Sequence, residues 1–209
     1  MKGTENMKLL GSIDDNATLI GDFFPPHLLQ QIHDYDFPHM SKKIQKKRMS
    51  SILWDKGLYL DKEGTKTVKD VKILDLYQYA KHNNKITEDI RDNFFKRIGE
   101  YILTCPHLPI QQNNILFMMS FYEYKKWSGI NWHYDGDWTL NLSVYIHKEW
   151  DANGGGETLI ETKGGYPLAV SPQPNLLLGI KNGVLHKVSA VLGNNSRQVL
   201  QARIRFLNP

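Results

Sequence analysis

The 209-residue chain has little sulfur chemistry and no long apolar run. Its one cysteine, Cys105, excludes an internal disulfide and a CxxC zinc pair, so a disulfide-stapled secreted scaffold is not indicated. No segment reaches the roughly 18 consecutive apolar residues of a membrane-spanning helix, and the start, MKGTENMKLLGSIDD, lacks the apolar stretch of a secretory signal. We therefore expect a cytoplasmic protein without a membrane partner, in which Cys105 is a small buried apolar residue.

The chain also lacks internal repeats, low-complexity tracts and a strong excess of one charge. The net charge of +4 is shared evenly between its two halves, which argues against a basic nucleic-acid arm joined to a neutral domain. One dense basic cluster stands out, formed by Lys42, Lys43, Lys46, Lys47 and Arg48. It is either a solvated surface segment or a docking patch for a phosphate backbone or an acidic protein.

Helical signals are confined to the first half of the chain. Pro26 suits a first helical position, and Leu28 and Ile32 recur at helical spacing, so a short helix is expected there. A second helix is predicted after Thr87, a plausible N-cap, with an apolar face from Ile90 to Ile102. These helices would serve as a support for the rest of the chain.

The second half consists of short β-type runs separated by turn residues. In TLNLSVYI, apolar and polar residues alternate cleanly, so one face meets a core and the other lies at the surface or lines a wet cavity. Seven such runs suggest a sandwich or jelly roll. The runs are ILFMMSFYEY, TLNLSVYI, ETLIE, PLAVS, NLLLGI, LHKV and RQVLQARIRF. We expect one domain over 1–209, with mostly helical support in 1–110 and a mainly β core in 111–209.

Three residues of the β half form a candidate metal site. His133 and Asp135 share a strand face, because residues i and i+2 point the same way. His186 lies 51 residues after Asp135, in a strand-like run that a jelly roll can fold back over the first pair. Two histidines and one carboxylate bind one face of an octahedral metal and leave positions for substrates, an arrangement diagnostic of non-haem Fe(II) oxygenases.

Two further residues of the β half suit a carboxylate ligand. Arg197, at the head of the last predicted strand, can grip a carboxylate of a diacid cosubstrate with two parallel hydrogen bonds. Tyr145, on the polar face of its strand, can donate another hydrogen bond to that carboxylate. Taken alone, Arg197 also fits a surface arginine, and Tyr145 also fits a tyrosine at the rim of a core.

The segments FYEYKKWSGINWHYD, VYIHKEWDANGGGETLIE and LHKVSAVLGNNSRQVLQARIRF resemble, in order and spacing, the 2-oxoglutarate and Fe(II)-dependent dioxygenases, and within them the prolyl hydroxylase branch. The resemblance covers roughly 114–206. It implies a double-stranded β-helix of the cupin-like, jelly-roll type, packed by N-terminal helices. It further implies that His133, Asp135 and His186 are catalytic iron ligands, that Arg197 and Tyr145 bind 2-oxoglutarate, and that Tyr124 is the pocket tyrosine. The glycine run after Asn153 resembles the family's Gly-Gly hairpin, and no phosphate-loop Lys-Ser or Lys-Thr accompanies it.

The chemistry implied by the resemblance is hydroxylation of a substrate C–H bond by O2. Fe(II) is the cofactor, 2-oxoglutarate is the cosubstrate that is converted to succinate and CO2, and ascorbate supports iron reduction in relatives. The expected partner is a prolyl residue in a peptide or protein, or a proline-like small molecule. No oligomeric state follows from the sequence.

One departure from the family bears on the substrate. On the last strand Arg203 shares a face with Arg197, where the closest prolyl hydroxylases carry a bulky aromatic residue. Trp132 and Trp138 either shape the pocket entrance together with Arg203 or pack in a core. The six-residue step between the arginines echoes the nucleic-acid demethylase branch, whereas the Trp-Asp and Gly-Gly segments fit the prolyl branch better. Oxidative demethylation of nucleic acid and a non-catalytic jelly-roll binding module are therefore the alternatives, although we expect no nucleic-acid partner.

Overall fold

A computed structural model of the chain describes residues 7–34, 42–43, 71–75 and 115–206. Over these ranges the chain forms one α-helix and twelve β-strands. None of the helical structure in them is long and apolar enough to cross a membrane. The elements are β1 Lys8–Ile13, β2 Ala17–Gly21, α1 Pro26–Asp34, β3 Lys42–Lys43, β4 Val71–Asp75, β5 Ile115–Tyr124, β6 Ile130–His133, β7 Leu140–Tyr145, β8 Thr158–Glu161, β9 Pro167–Val170, β10 Leu177–Lys181, β11 His186–Val188 and β12 Arg197–Phe206.

The strands form two antiparallel sheets. The larger has the order β1-β2-β10-β7-β12-β5-β4-β3 and the smaller the order β6-β11-β8-β9. From β5 to β12 the strands alternate between the two sheets, except that β8 and β9 form a hairpin within the small sheet, and the chain winds as a double-stranded β-helix. The mainly β jelly-roll expected from the sequence is confirmed. All seven predicted strand runs coincide with strands, namely β5 and β7 to β12.

The N-terminal part of the described chain differs from the expectation of a mostly helical support. It begins with a hairpin, β1 and β2, which extends the large sheet by pairing β2 with β10. The short helix predicted from Pro26 is confirmed as α1. Cys105, the helix predicted after Thr87 and most of the basic cluster lie outside the described residues, although Lys42 and Lys43 form β3.

Side chains on the two faces of the large sheet enter two different cores. In β7, Leu140, Leu142 and Val144 pack on the outer face, in the same cluster as Leu28 and Ile32 of α1. The polar face predicted for this strand points between the two sheets, where Tyr145 is fully buried in the second cluster. It therefore lines the interior of the barrel rather than the surface, and the interior is where the functional groups converge.

Candidate active site

The metal-ligand candidates meet at the β6 edge of the small sheet. β6 ends at His133 and β11 begins at His186, and these two residues are directly opposite each other in the antiparallel pair. Their ring centroids are 4.4 Å apart. Asp135 follows β6 by two residues and turns back between them, with Oδ2 3.2 Å from His186 Nε2 and Oδ1 3.7 Å from His133 Nε2. One ligand atom from each of the three residues lies within 4.8 Å of the other two.

Backbone hydrogen bonds fix the orientation of both imidazole rings. His133 Nδ1 lies 2.7 Å from the Asn131 carbonyl oxygen, and His186 Nδ1 lies 2.9 Å from that of Val184. A carbonyl oxygen only accepts, so each Nδ1 carries the proton and donates it. Each Nε2 therefore faces Asp135, and it is the nitrogen that a metal would bind in the neutral form of the ring. Burial lowers the pKa of His133, and the neighbouring His186 lowers it further, which favours this neutral form.

Asp135 stays ionised in this buried position. Burial raises the pKa of a carboxyl group, but here the hydrogen bond and charge interaction with His186, together with Arg203 and His133, outweigh burial and lower the pKa to about 2. The side chain also accepts a short hydrogen bond from Asn141 Nδ2. The group therefore offers two imidazole nitrogens and one carboxylate, a set that suits a divalent transition metal.

A buried guanidinium lies at the other end of the same interior. Arg197, the first residue of β12, is 3% exposed. Its Nη2 donates to Thr158 Oγ1 at 3.1 Å and lies 3.5 Å from the Tyr145 hydroxyl. Its Nε has no hydrogen-bond partner, and no carboxylate of the described residues forms an ion pair with it. This cation thus has unused donors in a place that water reaches poorly.

Two tyrosine rings enclose the guanidinium. The Arg197 Cζ atom is 4.9 Å from the ring centroids of both Tyr124 and Tyr145. The Tyr145 hydroxyl is also 3.0 Å from Thr158 Oγ1. The structure therefore brings the three predicted cosubstrate residues together and adds Thr158, which sequence reasoning missed. A lone threonine in a short strand carries no local pattern that marks it as functional.

The glycine run forms the tight turn expected before β8, with Gly154 N donating to the Asp151 carbonyl oxygen. Gly155 and Gly156 both have positive φ, 69° and 67°, and Gly155 bridges to Val191. A Cβ atom at Gly155 would lie 2.1 Å from the Ala190 carbonyl oxygen, and one at Gly156 would lie 3.2 Å from Arg197 Cδ. Glycine is required here because the backbone of this turn packs against the backbone of the loop before β12.

The remaining predicted pocket residues occupy different places. Arg203 lies inside the barrel at the metal-ligand group, with Nη2 3.7 Å from Asp135 Oδ1. Trp132 contacts Lys187, whose Nζ is 5.4 Å from its ring, so the structure places it beside the neighbour of His186 and not at the ligand group. Trp138 lies under Arg205, whose Cζ is 5.5 Å from its ring. Among the described residues, Arg203 is the one of these three that forms an ion pair with a candidate ligand.

The chain has the fold of the 2-oxoglutarate/Fe(II) oxygenases. No protein-family model matches the sequence, and no curated protein does. A prolyl-4-hydroxylase from Pseudomonas putida is similar over 92% of this chain and 94% of its own, with a TM-score of 0.61 and 14% identity. A 2OG-Fe(II) oxygenase family oxidoreductase from Burkholderia pseudomallei covers 93% and 87%, with a TM-score of 0.66 and 14% identity. A prolyl hydroxylase from Trichoplax adhaerens, in complex with a hypoxia inducible factor oxygen degradation domain peptide fragment, covers 92% and 84%, with a TM-score of 0.66 and 12% identity.

Proposed function

We propose that the chain is a 2-oxoglutarate- and Fe(II)-dependent dioxygenase that hydroxylates a prolyl residue in a peptide or protein, or a proline-like small molecule. Two features inside one barrel support the oxygenase class, namely the His-Asp-His group and the buried cation beyond it. His133, Asp135 and His186 would hold the iron, because the Nε2 atoms of the two histidines converge with the ionised carboxylate of Asp135. Bound iron and 2-oxoglutarate supply oxidation of a substrate C–H bond by O2, with release of succinate and CO2.

The single observation that carries the cosubstrate is the unpaired Arg197 guanidinium. A cation buried to 3% exposure is costly unless its donors are used, and among the described residues its hydrogen-bond acceptors are the neutral hydroxyls of Thr158 and Tyr145. A carboxylate fits this position, because guanidinium binds it through two parallel hydrogen bonds. A ligand with carboxylates at both ends fits better still, since its other end would face the metal-ligand group.

The residues around this space hold the cosubstrate and exclude water. Tyr145 and Thr158 hydrogen-bond each other, which orients both hydroxyls toward the same point as Arg197. Tyr124 covers the opposite face of the guanidinium, and burial raises the pKa of its phenol, so it stays a neutral donor. Buried apolar residues of both sheets, among them Ile160, Val188 and Val199, close the remaining walls.

The prolyl preference rests on similarity and on the sequence. Prolyl hydroxylases are among the structural neighbours, and the Trichoplax neighbour is in complex with a peptide. Within the chain, the Trp-Asp segment, the Gly-Gly hairpin and the spacing of His186 to Arg197 support the same branch. These observations favour a peptide substrate over a nucleic acid.

The proposal is tested by measuring succinate release from purified protein supplied with Fe(II), 2-oxoglutarate and, in parallel arms, ascorbate. Candidate substrates are proline-containing peptides, free proline and a methylated oligonucleotide. We expect a proline compound to stimulate succinate release, and His133→Ala or Asp135→Ala to abolish it. Unchanged turnover in either variant would contradict the proposal. Stimulation by the oligonucleotide alone would favour the demethylase branch, and failure to bind both Fe(II) and 2-oxoglutarate would favour a binding module.

A further inference from the structure

The Asp135 carboxylate is contacted from the large sheet as well as from the two histidines. Asn141 Nδ2 donates a short hydrogen bond to Oδ2, and Arg203 Nη2 lies 3.7 Å from Oδ1. The first contact is a hydrogen bond and the second is a charge contact, since 3.7 Å exceeds hydrogen-bond distance. Each carboxylate oxygen therefore has its own partner on the large sheet.

Strand register explains why these two partners meet at Asp135. Asn141 in β7 and Arg203 in β12 are directly opposite each other in the antiparallel pair, so their side chains are neighbours on one face. The residues that flank Arg203, Ala202 and Ile204, are fully buried in the outer core. Alternation along a strand then directs Arg203, and Asn141 beside it, into the barrel. Both side chains therefore project from neighbouring strands toward Asp135.

The contacts of Asn141 and Arg203 with Asp135 are buried or partly buried, unlike a surface ion pair. Asn141 is 4% exposed, so its amide donor needs an internal acceptor, and Asp135 supplies it. Arg203 has 26% side-chain exposure and Asp135 has 8%, which keeps the pair partly shielded from solvent. Arg205, two residues further along the same strand, pairs instead with Asp137 at 3.3 Å. The chain thus carries a second arginine of the same kind that has no contact with Asp135.

We propose that Asn141 and Arg203 are positioning residues that orient the Asp135 carboxylate for metal binding, one at each oxygen. The inference rests on the proposed function in requiring a metal at the His-Asp-His group. It assigns Arg203, where the prolyl branch carries a bulky aromatic, to the metal ligand rather than to the far end of the cosubstrate. Partners that orient ligands in this way typically change metal affinity by 10–100-fold when removed.

The test is titration of the full-length chain with Co²⁺ alone, followed by visible absorption of the bound ion. We expect Asn141→Leu and Arg203→Met each to raise the Co²⁺ dissociation constant about 10–100-fold and to change the absorption bands, because the carboxylate loses its fixed orientation. Removing a positive charge near the metal would by itself tighten binding, so weaker binding in Arg203→Met can be assigned to orientation. Arg205→Met removes a charge of the same kind from a residue that pairs with Asp137 and not with Asp135, so it should not weaken Co²⁺ binding.

Three outcomes separate this inference from the function it rests on. Wild-type affinity and spectrum in both Asn141→Leu and Arg203→Met would overturn the positioning role while leaving the metal site intact. If the unaltered chain binds no Co²⁺, both the positioning role and the proposed metal site would be overturned. The same holds if His186→Ala binds Co²⁺ as tightly as the unaltered chain. If Asn141→Leu fails to fold, as judged by circular dichroism and thermal unfolding, the partly exposed Arg203 variant decides the question.

Discussion

At the scale of single residues, Arg197 is constrained by what surrounds it. The side chain is almost fully buried, lies 4.9 Å from the centroids of two tyrosine rings and, among the described residues, is hydrogen-bonded to neutral hydroxyls. Burial without a counter-charge destabilises a protein unless something offsets it, and function is the usual reason that such an arrangement persists. The residue is therefore the most informative place to test for an anionic ligand.

Replacing Arg197 should weaken 2-oxoglutarate binding. We expect Arg197→Met to cost about 2–5 kcal/mol, a rise in the dissociation constant of ~30-fold or more, because a buried charge on the ligand loses its partner. Calorimetric titration of the Co²⁺-loaded protein with 2-oxoglutarate measures this directly. Arg197→Lys keeps the charge but loses the planar guanidinium. Its dissociation constant for 2-oxoglutarate should lie between those of the unaltered protein and Arg197→Met.

The control for this experiment is the metal itself. Co²⁺ affinity should be unchanged in Arg197→Met, since the guanidinium contacts Thr158 and the tyrosines and not the ligand group. Equal 2-oxoglutarate affinity in the altered and unaltered proteins would contradict the role assigned to Arg197.

Sequence reasoning found the site residues that have a recognisable spacing. The step from His133 to Asp135 and the position of Arg197 at a strand start are visible in the sequence, and the structure brings these residues into one interior. Thr158 and the pairing of Asn141 with Asp135 were not foreseen. Both depend on register between strands that are distant in the chain, which local patterns do not encode.

At the scale of secondary structure, alternation decided what could be predicted. β7 and β12 each bury opposite faces in different cores, so apolar and polar positions repeat with period two. β1 gave no such signal, because it is an edge strand whose Leu9 and Leu10 are both exposed, at 67% and 53%. The turn after it places Asp14 and Asp15 at positive φ, which aspartate tolerates better than most residues.

The glycine turn before β8 should contribute to the stability of the fold. Gly155→Ala should destabilise the fold by about 2 kcal/mol or more, because alanine is strained at a φ of 69° and its Cβ would overlap the Ala190 carbonyl oxygen. Urea unfolding monitored by circular dichroism gives the free energy of unfolding. Gly183→Ala is the matched control, since φ is 75° there but nothing lies within 4 Å of the added Cβ.

Gly183→Ala should cost only the conformational strain, about 1 kcal/mol. Equal losses of unfolding free energy at the two glycines would mean that the close approach between the turn and Ala190 contributes nothing to stability. A larger loss at Gly155 would support the backbone contact as the feature that holds the turn against the loop before β12.

At the scale of the whole molecule, a buried histidine links stability to pH. His147 is 4% exposed, and its Nε2–H donates to the Pro172 carbonyl oxygen at 2.6 Å. Burial lowers its pKa to about 4, and the charge of Arg197 acts in the same direction. In the unfolded chain a histidine has a pKa of about 6.5 and takes up a proton first. The folded state should therefore lose stability as pH falls from about 6.5 to about 4.

The expected loss from His147 is about 2 kcal/mol between roughly pH 7 and pH 5. Unfolding by urea at both pH values, in the unaltered protein and in His147→Gln, isolates this contribution. The glutamine amide can still donate to Pro172 but does not titrate in this range, so the variant should show a shallower decline. A parallel pH dependence in the two proteins would contradict the role of His147.

The pairing of His133 opposite His186 has a consequence for the folded state as a whole. An ion held by both would bridge β6 to β11, two strands that are far apart in the chain and that lie together at one edge of the small sheet. Such a ligand binds the native chain and has no preformed site in the unfolded one, so its binding free energy adds to that of folding. The gain is about 2.7 kcal/mol at a free metal concentration of 100 times the dissociation constant. Metal supply would then change the fraction of chains that are folded, and with it their exposure to proteolysis.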